Sequence, residues 1–166
     1  MNLLFSFAIV LFMAIRPVDS RDGLYYRTYA TGAQDGTTTN TEATLTTAFD
    51  EGLTFVDYEL TVENGHAVTE AHYHCAAAGE KGPIVAFLFG LVPGSVNVNG
   101  RLSRGRLRNS DILSNVTDFK NTPLCGVTID NIASLLFAIR KGLIYLNVHT
   151  VANPDGEVRG QLFSGH

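Results

Sequence analysis

"GLIYLNVHTVANPDGEVRGQLF", residues 142–163, decides the fold. Its two halves, "GLIYLNVHT" from Gly142 and "GEVRGQLF" from Gly156, are rich in β-branched, aromatic and aliphatic residues. "VANPD" lies between them, and its Asn, Pro and Asp are turn formers. The block reads as strand, tight turn over Asn153, Pro154, Asp155 and Gly156, then strand. His149 stands near the end of the first strand, bracketed by Asn147 and Thr150, and Arg159 lies in the second.

Working outward, the same alternation recurs. "LYYRTYAT" near residue 24, "EATLTTAF" from Glu42, "LTFVDYELTV" from Leu53, "AVTEAHYH" from Ala67 and "NGRLSRGRLR" from Asn99 each show partial period-two patterning. "GPIVAFLF" from Gly82 is continuously apolar, as expected of a central buried strand. One segment departs from this. In "TIDNIASLLFAIRKG", Ile132, Leu135, Leu136 and Ile139 recur at helical spacing, Thr128 can cap the start, and Gly142 follows as a stop. Leu91–Asn99 and Asn109–Gly126 read as loops. The expectation is a mainly β fold: a single antiparallel Greek-key β-sandwich with one short α-helix.

Composition limits what this fold can do. A chain of 166 residues has room for one domain with a real core. Its 12 basic and 16 acidic residues are dispersed and give a net charge of -4, so no basic run offers itself to nucleic acid or an anionic membrane. Leu3–Ile15 is an apolar run too short to span a bilayer but suited to a secretory signal. Val18 and Ser20 place cleavage after Ser20, which leaves residues 21–166 as one secreted domain without a membrane segment. A buried strand or retained anchor is the alternative. In an oxidising compartment the two cysteines, Cys75 and Cys125, pair as a disulfide; two unpaired core thiols are the other reading. "NVT" at Asn115 is a glycosylation sequon in a polar stretch.

Five histidines remain to be placed. In a strand, residues i and i+2 share a face, so His72 and His74 in "AVTEAHYH" can aim both imidazoles at one ion. His149 is the candidate third ligand. Imidazoles suit copper or zinc, and neither motif offers an obvious carboxylate for calcium. The alternative is three partly buried histidines satisfied by hydrogen bonds. His66 lies too far along the chain from His72 to share the ion, and His166 is terminal.

These residues carry a resemblance. "EAHYHCAAAGEKGPIVAFLF" and "GLIYLNVHTVANPDGEVRGQLF" resemble the two signature blocks of the CHRD domain, named after chordin, over about Leu24 to Phe163. The second block matches almost position for position. The first departs at Cys75 and the alanines after it. The resemblance implies an extracellular module that engages a protein partner, although the cysteine-rich modules of chordin itself are missing. The order of an HxH strand, a later single-histidine strand and an arginine-bearing strand is also similar to copper/zinc superoxide dismutases. That similarity implies a superoxide dismutase-like or immunoglobulin-like sandwich, with copper on His72, His74 and His149 and an anion-guiding Arg159. The bridging histidine and zinc loop of those enzymes have no counterpart here, so the implied site is mononuclear. Arg159 also has a structural reading, as a partner of Glu157 or Asp155. Three functions follow in order: a secreted metal-binding protein with copper preferred to zinc, an extracellular interaction module, and a dismutase-like enzyme.

Overall fold

The structure, a computed structural model, describes residues 23–90, 94–113 and 125–165. The apolar N-terminal run, the cleavage position, the Asn115 sequon and His166 lie outside the described residues.

The strand on which the architecture turns is β3, Phe55–Cys75. Two separate strands were expected here, over residues 53–62 and 67–74. A single strand of 21 residues bends instead at "ENGHA". Asn64 and Ala67 adopt φ of 54° and 50°, and the ladder to the next strand shifts register on both sides of Gly65. Such bulges let a strand pass from one half of a sheet to the other without losing its pairing.

The other strands arrange themselves around this bend. β1, Tyr25–Thr31, pairs with β2, Glu42–Phe49, and β2 pairs with the first half of β3 from Glu42↔Glu63 to Phe49↔Val56. The second half of β3 pairs with β6, Ile144–Thr150, and β6 pairs with β7, Val158–Gln161. The circuit closes where Thr31 of β1 meets Arg159 of β7. Every pairing is antiparallel, and the expected sandwich takes the form of one sheet closed into a barrel-like arrangement. β4, Ile84–Phe89, and β5, Val96–Arg108, each pair with β3. Thus "GPIVAFLF" is no central strand, since β3 is its only ladder partner among the described residues, and β5 begins inside the expected loop. β8, Phe163–Ser164, returns beside β1.

A one-turn helix, α1, Gly32–Asp35, follows β1 and was not foreseen. The foreseen helix is α2, Ile132–Arg140, with Ile132, Leu135, Leu136 and Ile139 buried. Its cap is Asn131, not Thr128. Asn131 Oδ1 accepts from the Ser134 N–H at 2.8 Å while Ser134 Oγ accepts from the Asn131 N–H at 3.0 Å. This reciprocal pair satisfies two first-turn donors three residues downstream of the expected start. Gly142, at φ 70°, stops the helix as expected.

The core fills the barrel from Leu45, Val56, Leu60, Val68, Tyr73, Ile144, Leu146, Val148 and α2. Each fully buried aliphatic side chain stabilises the fold by roughly 1.5–3 kcal/mol. Cys75 and Cys125 form a disulfide that joins the end of β3 to the approach to α2, 50 residues on. β6 is buried along its whole length. Ile144, Leu146 and Val148 face the core, while Tyr145, Asn147 and His149 alternate with them on the opposite face.

Candidate metal centre

That opposite face holds the histidines. Period-two alternation sends His72 and His74 to one side of β3, with ring centroids 5.5 Å apart, and the register sets Glu70 opposite His149, His72 opposite Asn147 and His74 opposite Tyr145. Each of the three histidines offers one ring nitrogen, and these nitrogens lie within 4.8 Å of one another. All three side chains are buried, His72 most completely at 1% exposure. His66 sits exposed at the β3 bend, outside this cluster.

The outer nitrogens are fixed by acceptors. His74 Nδ1 donates to the Gly82 carbonyl at 2.9 Å, and His149 Nδ1 donates to the Pro154 carbonyl at 2.9 Å. A carbonyl only accepts, so in each neutral ring the proton is on Nδ1 and the Nε2 lone pair faces inward. His74 Nε2 is buried without a partner. His72 Nδ1 lies 3.2 Å from His149 Nε2, and its own Nε2 lies 3.4 Å from the Glu70 carboxylate without hydrogen-bond geometry. Glu70 corrects the expectation that no carboxylate accompanies the motif. It lies two residues before His72 on the same strand face, so the period that revealed the histidine pair could also have revealed it.

Burial, reinforced by the neighbouring His149 and His74, pushes the His72 imidazole down to about 3. Burial also lowers His74 to about 4, against the opposing Gly82 carbonyl bond and with help from His149 and Arg159. Both rings are therefore neutral at physiological pH, the form that coordinates metal.

The surroundings are aromatic and closely tied. Phe87 of β4 meets His72 edge-on at 4.5 Å, and Tyr145 stacks on His74 at 5.1 Å with planes 17° apart. The Gly82 N–H donates to the Tyr145 hydroxyl at 3.1 Å, so one residue orients both the tyrosine and His74. Only glycine fits there, because a Cβ would stand 1.9 Å from the Cys75 carbonyl. Arg159 pairs with neither Glu157 nor Asp155. Its guanidinium donates to the Glu80 and Ala77 carbonyls at 2.6 and 2.9 Å and lies 3.5 Å from the centroid of Tyr145.

The turn after His149 is as expected, with the Gly156 N–H bonded to the Asn153 carbonyl. Its second task, offering the Pro154 carbonyl to His149, left no trace in composition. Glu157 anchors this turn. Its carboxylate accepts from Thr39, Thr41, Thr150 and Asn153, and burial, which would raise its pKa, is outweighed by these bonds, so it lies below the usual carboxylate value.

Among the described residues no helix is long and apolar enough to cross a membrane. Comparison with curated proteins and with solved structures found no match. The family model of the CHRD domain does match, over residues 26–162, a span that takes in the barrel from β1 through β7 and all three clustered histidines. The chain belongs to the CHRD domain family.

Proposed function

We propose that this CHRD-domain protein is a secreted, mononuclear copper-binding protein whose ligands are His72 Nδ1, His74 Nε2 and His149 Nε2. One observation carries the reading: His74 and His149 each commit Nδ1 to a carbonyl, which leaves Nε2 free, and one ring nitrogen from each of the three histidines lies within 4.8 Å of the others in a buried, aromatic-walled cluster. Three imidazoles with an open position suit copper, and zinc is the second choice. Nitrogens about 2.0–2.1 Å from one ion stand at most about 4.2 Å apart. The 4.8 Å span therefore asks the rings to close by at least about half an ångström.

His72 does the remaining adjustment. In the metal-free protein a single proton between His72 Nδ1 and His149 Nε2 joins the two rings. Were His72 to hold an ion through Nδ1, its proton would reside on Nε2, 3.4 Å from the Glu70 carboxylate, which a small turn of either side chain would make its acceptor. When bound, copper would supply Lewis acidity or one-electron exchange. Dismutase-like turnover is left out of this reading, since anion guidance needs a cation free to face solvent and the terminal amino groups of Arg159 are spent on carbonyls.

Metal analysis and titration of untagged protein test the site. The expected result is close to one copper per chain at neutral pH, reduced to near zero in the His72→Ala/His149→Ala double variant with the fold intact. Unchanged metal content in that variant would refute the proposal. Secretion is supported by the disulfide, by the extracellular character of CHRD domains and by the apolar N-terminal run. N-terminal sequencing of protein recovered from the medium is expected to begin near Arg21, and material beginning at Met1 would contradict it.

The exposed aromatic row of Tyr25, Tyr29 and Phe163 on β1 and β8 favours a second reading, an extracellular protein-interaction module that needs no metal. Partner capture that survives the double histidine variant but fails in Tyr29→Ala would support it.

A further inference from the structure

Arg159 is a full positive charge buried to 3% exposure, and among the described residues no carboxylate forms a salt bridge with it. Its two terminal nitrogens instead hold the Ala77 and Glu80 carbonyls, at one side of the loop whose other end is Gly82. That loop supplies the carbonyl that orients His74. The guanidinium also lies on one side of Tyr145 at 3.5 Å, and His74 stacks on the same ring at 5.1 Å, so guanidinium, phenol and imidazole are adjoining groups.

We propose that Arg159 is the positioning and selectivity residue of the three-histidine site. It clamps the 77–82 loop so that Gly82 holds His74 in place, and its fixed charge lowers affinity for doubly charged ions relative to singly charged copper. The inference rests on the metal-binding reading above. A unit charge about 10 Å from an ion, at an effective dielectric near 20, changes the binding constant about tenfold for each added ionic charge. Two carboxylates act with the opposite sign: Asp35, whose charge reaches His74, and Glu70, beside His72. The contribution of Arg159 is therefore read as a difference between variants.

The test uses the full chain in metal-free form, with Arg159→Gln and Arg159→Lys. Zinc(II) and copper(I) affinities are measured by competition with chromophoric chelators, the latter under anaerobic reducing conditions. Arg159→Gln is expected to raise the zinc-to-copper(I) affinity ratio about tenfold, while Arg159→Lys, which keeps the charge, stays within about threefold of the wild type. A purely structural arginine would weaken both ions alike in Arg159→Gln, and that result overturns the proposal, as does an unchanged ratio.

The clamp has its own readout, because Lys81 lies exposed in the loop and trypsin cuts after it. Cleavage there is expected to be several-fold faster in both variants without metal, and equal rates would remove the clamp. Should Arg159→Gln fail to fold, Arg159→Lys carries the test, with faster cleavage at an unchanged ratio expected and a shifted ratio overturning the proposal. A wild type that binds neither ion overturns the metal reading and this inference together, whereas a wild type that binds both, with ratios alike in all variants, overturns only this one.

Discussion

His72 and His74 stay neutral in the fold at a pH where an exposed imidazole takes up a proton, and this has a thermodynamic consequence. In the unfolded chain both titrate near 6.5, whereas in the fold they titrate near 3 and 4. Between those limits the unfolded state binds more protons, so stability is present above about 6.5 and is lost as pH falls through that window. The slope is up to about 1.4 kcal/mol per pH unit for each histidine. Urea unfolding of metal-free protein from pH 7.5 to 4.5 is expected to show this decline, and His72→Gln is expected to remove about half of it. A flat wild-type profile would contradict the burial of neutral rings. Glu157 acts at lower pH. Its folded value lies below the usual one, so its contribution is present above the ordinary carboxylate range and disappears as pH falls through the folded value. At this scale the ligand candidates were legible, because His72, His74 and His149 differ in chemistry from their neighbours. The carbonyls of Gly82 and Pro154 were not, since a main-chain acceptor looks the same in every residue and only the folded loop aims it.

Elements whose pattern is local came through with their type intact, and their ends depended on contacts that periodicity does not carry. The apolar face of α2 is the one its spacing announced, but Asn131 and Ser134 form the cap while Thr128 remains outside the helix. Asn131→Ala is expected to destabilise the protein by about 1 kcal/mol, and Thr128→Ala by less than about 0.5, in chemical denaturation. Equal costs would put the helix start back at Thr128. The merging of two expected strands into β3 has a comparable cause. "ENG" is a turn signal when read alone, yet in the fold Asn64 and Ala67 absorb the positive φ while the ladder to β5 resumes at Val68. The apolar "IVAFLF" suggested a central position, but β4 pairs with β3 alone among the described residues and is apolar on both faces, with Val85, Ala86 and Leu88 in the core and Phe87 against His72.

For the molecule as a whole, the bridge between Cys75 and Cys125 closes a loop of 50 residues. Its removal in Cys75→Ser/Cys125→Ser is expected to cost about 4 kcal/mol in the chain-entropy account, read as a lower denaturation midpoint. A midpoint unchanged from the oxidised wild type would show that the segment before α2 is held by packing alone. The closed circuit could not be foreseen from the sequence, because it rests on Thr31 meeting Arg159 across most of the chain, and no local pattern encodes so distant a partner. The bend of β3 also gives the molecule a clock. Because that one strand lies in both halves of the circuit and is paired on each side, neither half can peel away while the other stays closed. Amide hydrogens from Val56 to Leu60 and from Ala71 to His74 are therefore expected to exchange with deuterium at a single slow rate, set by opening of the entire barrel.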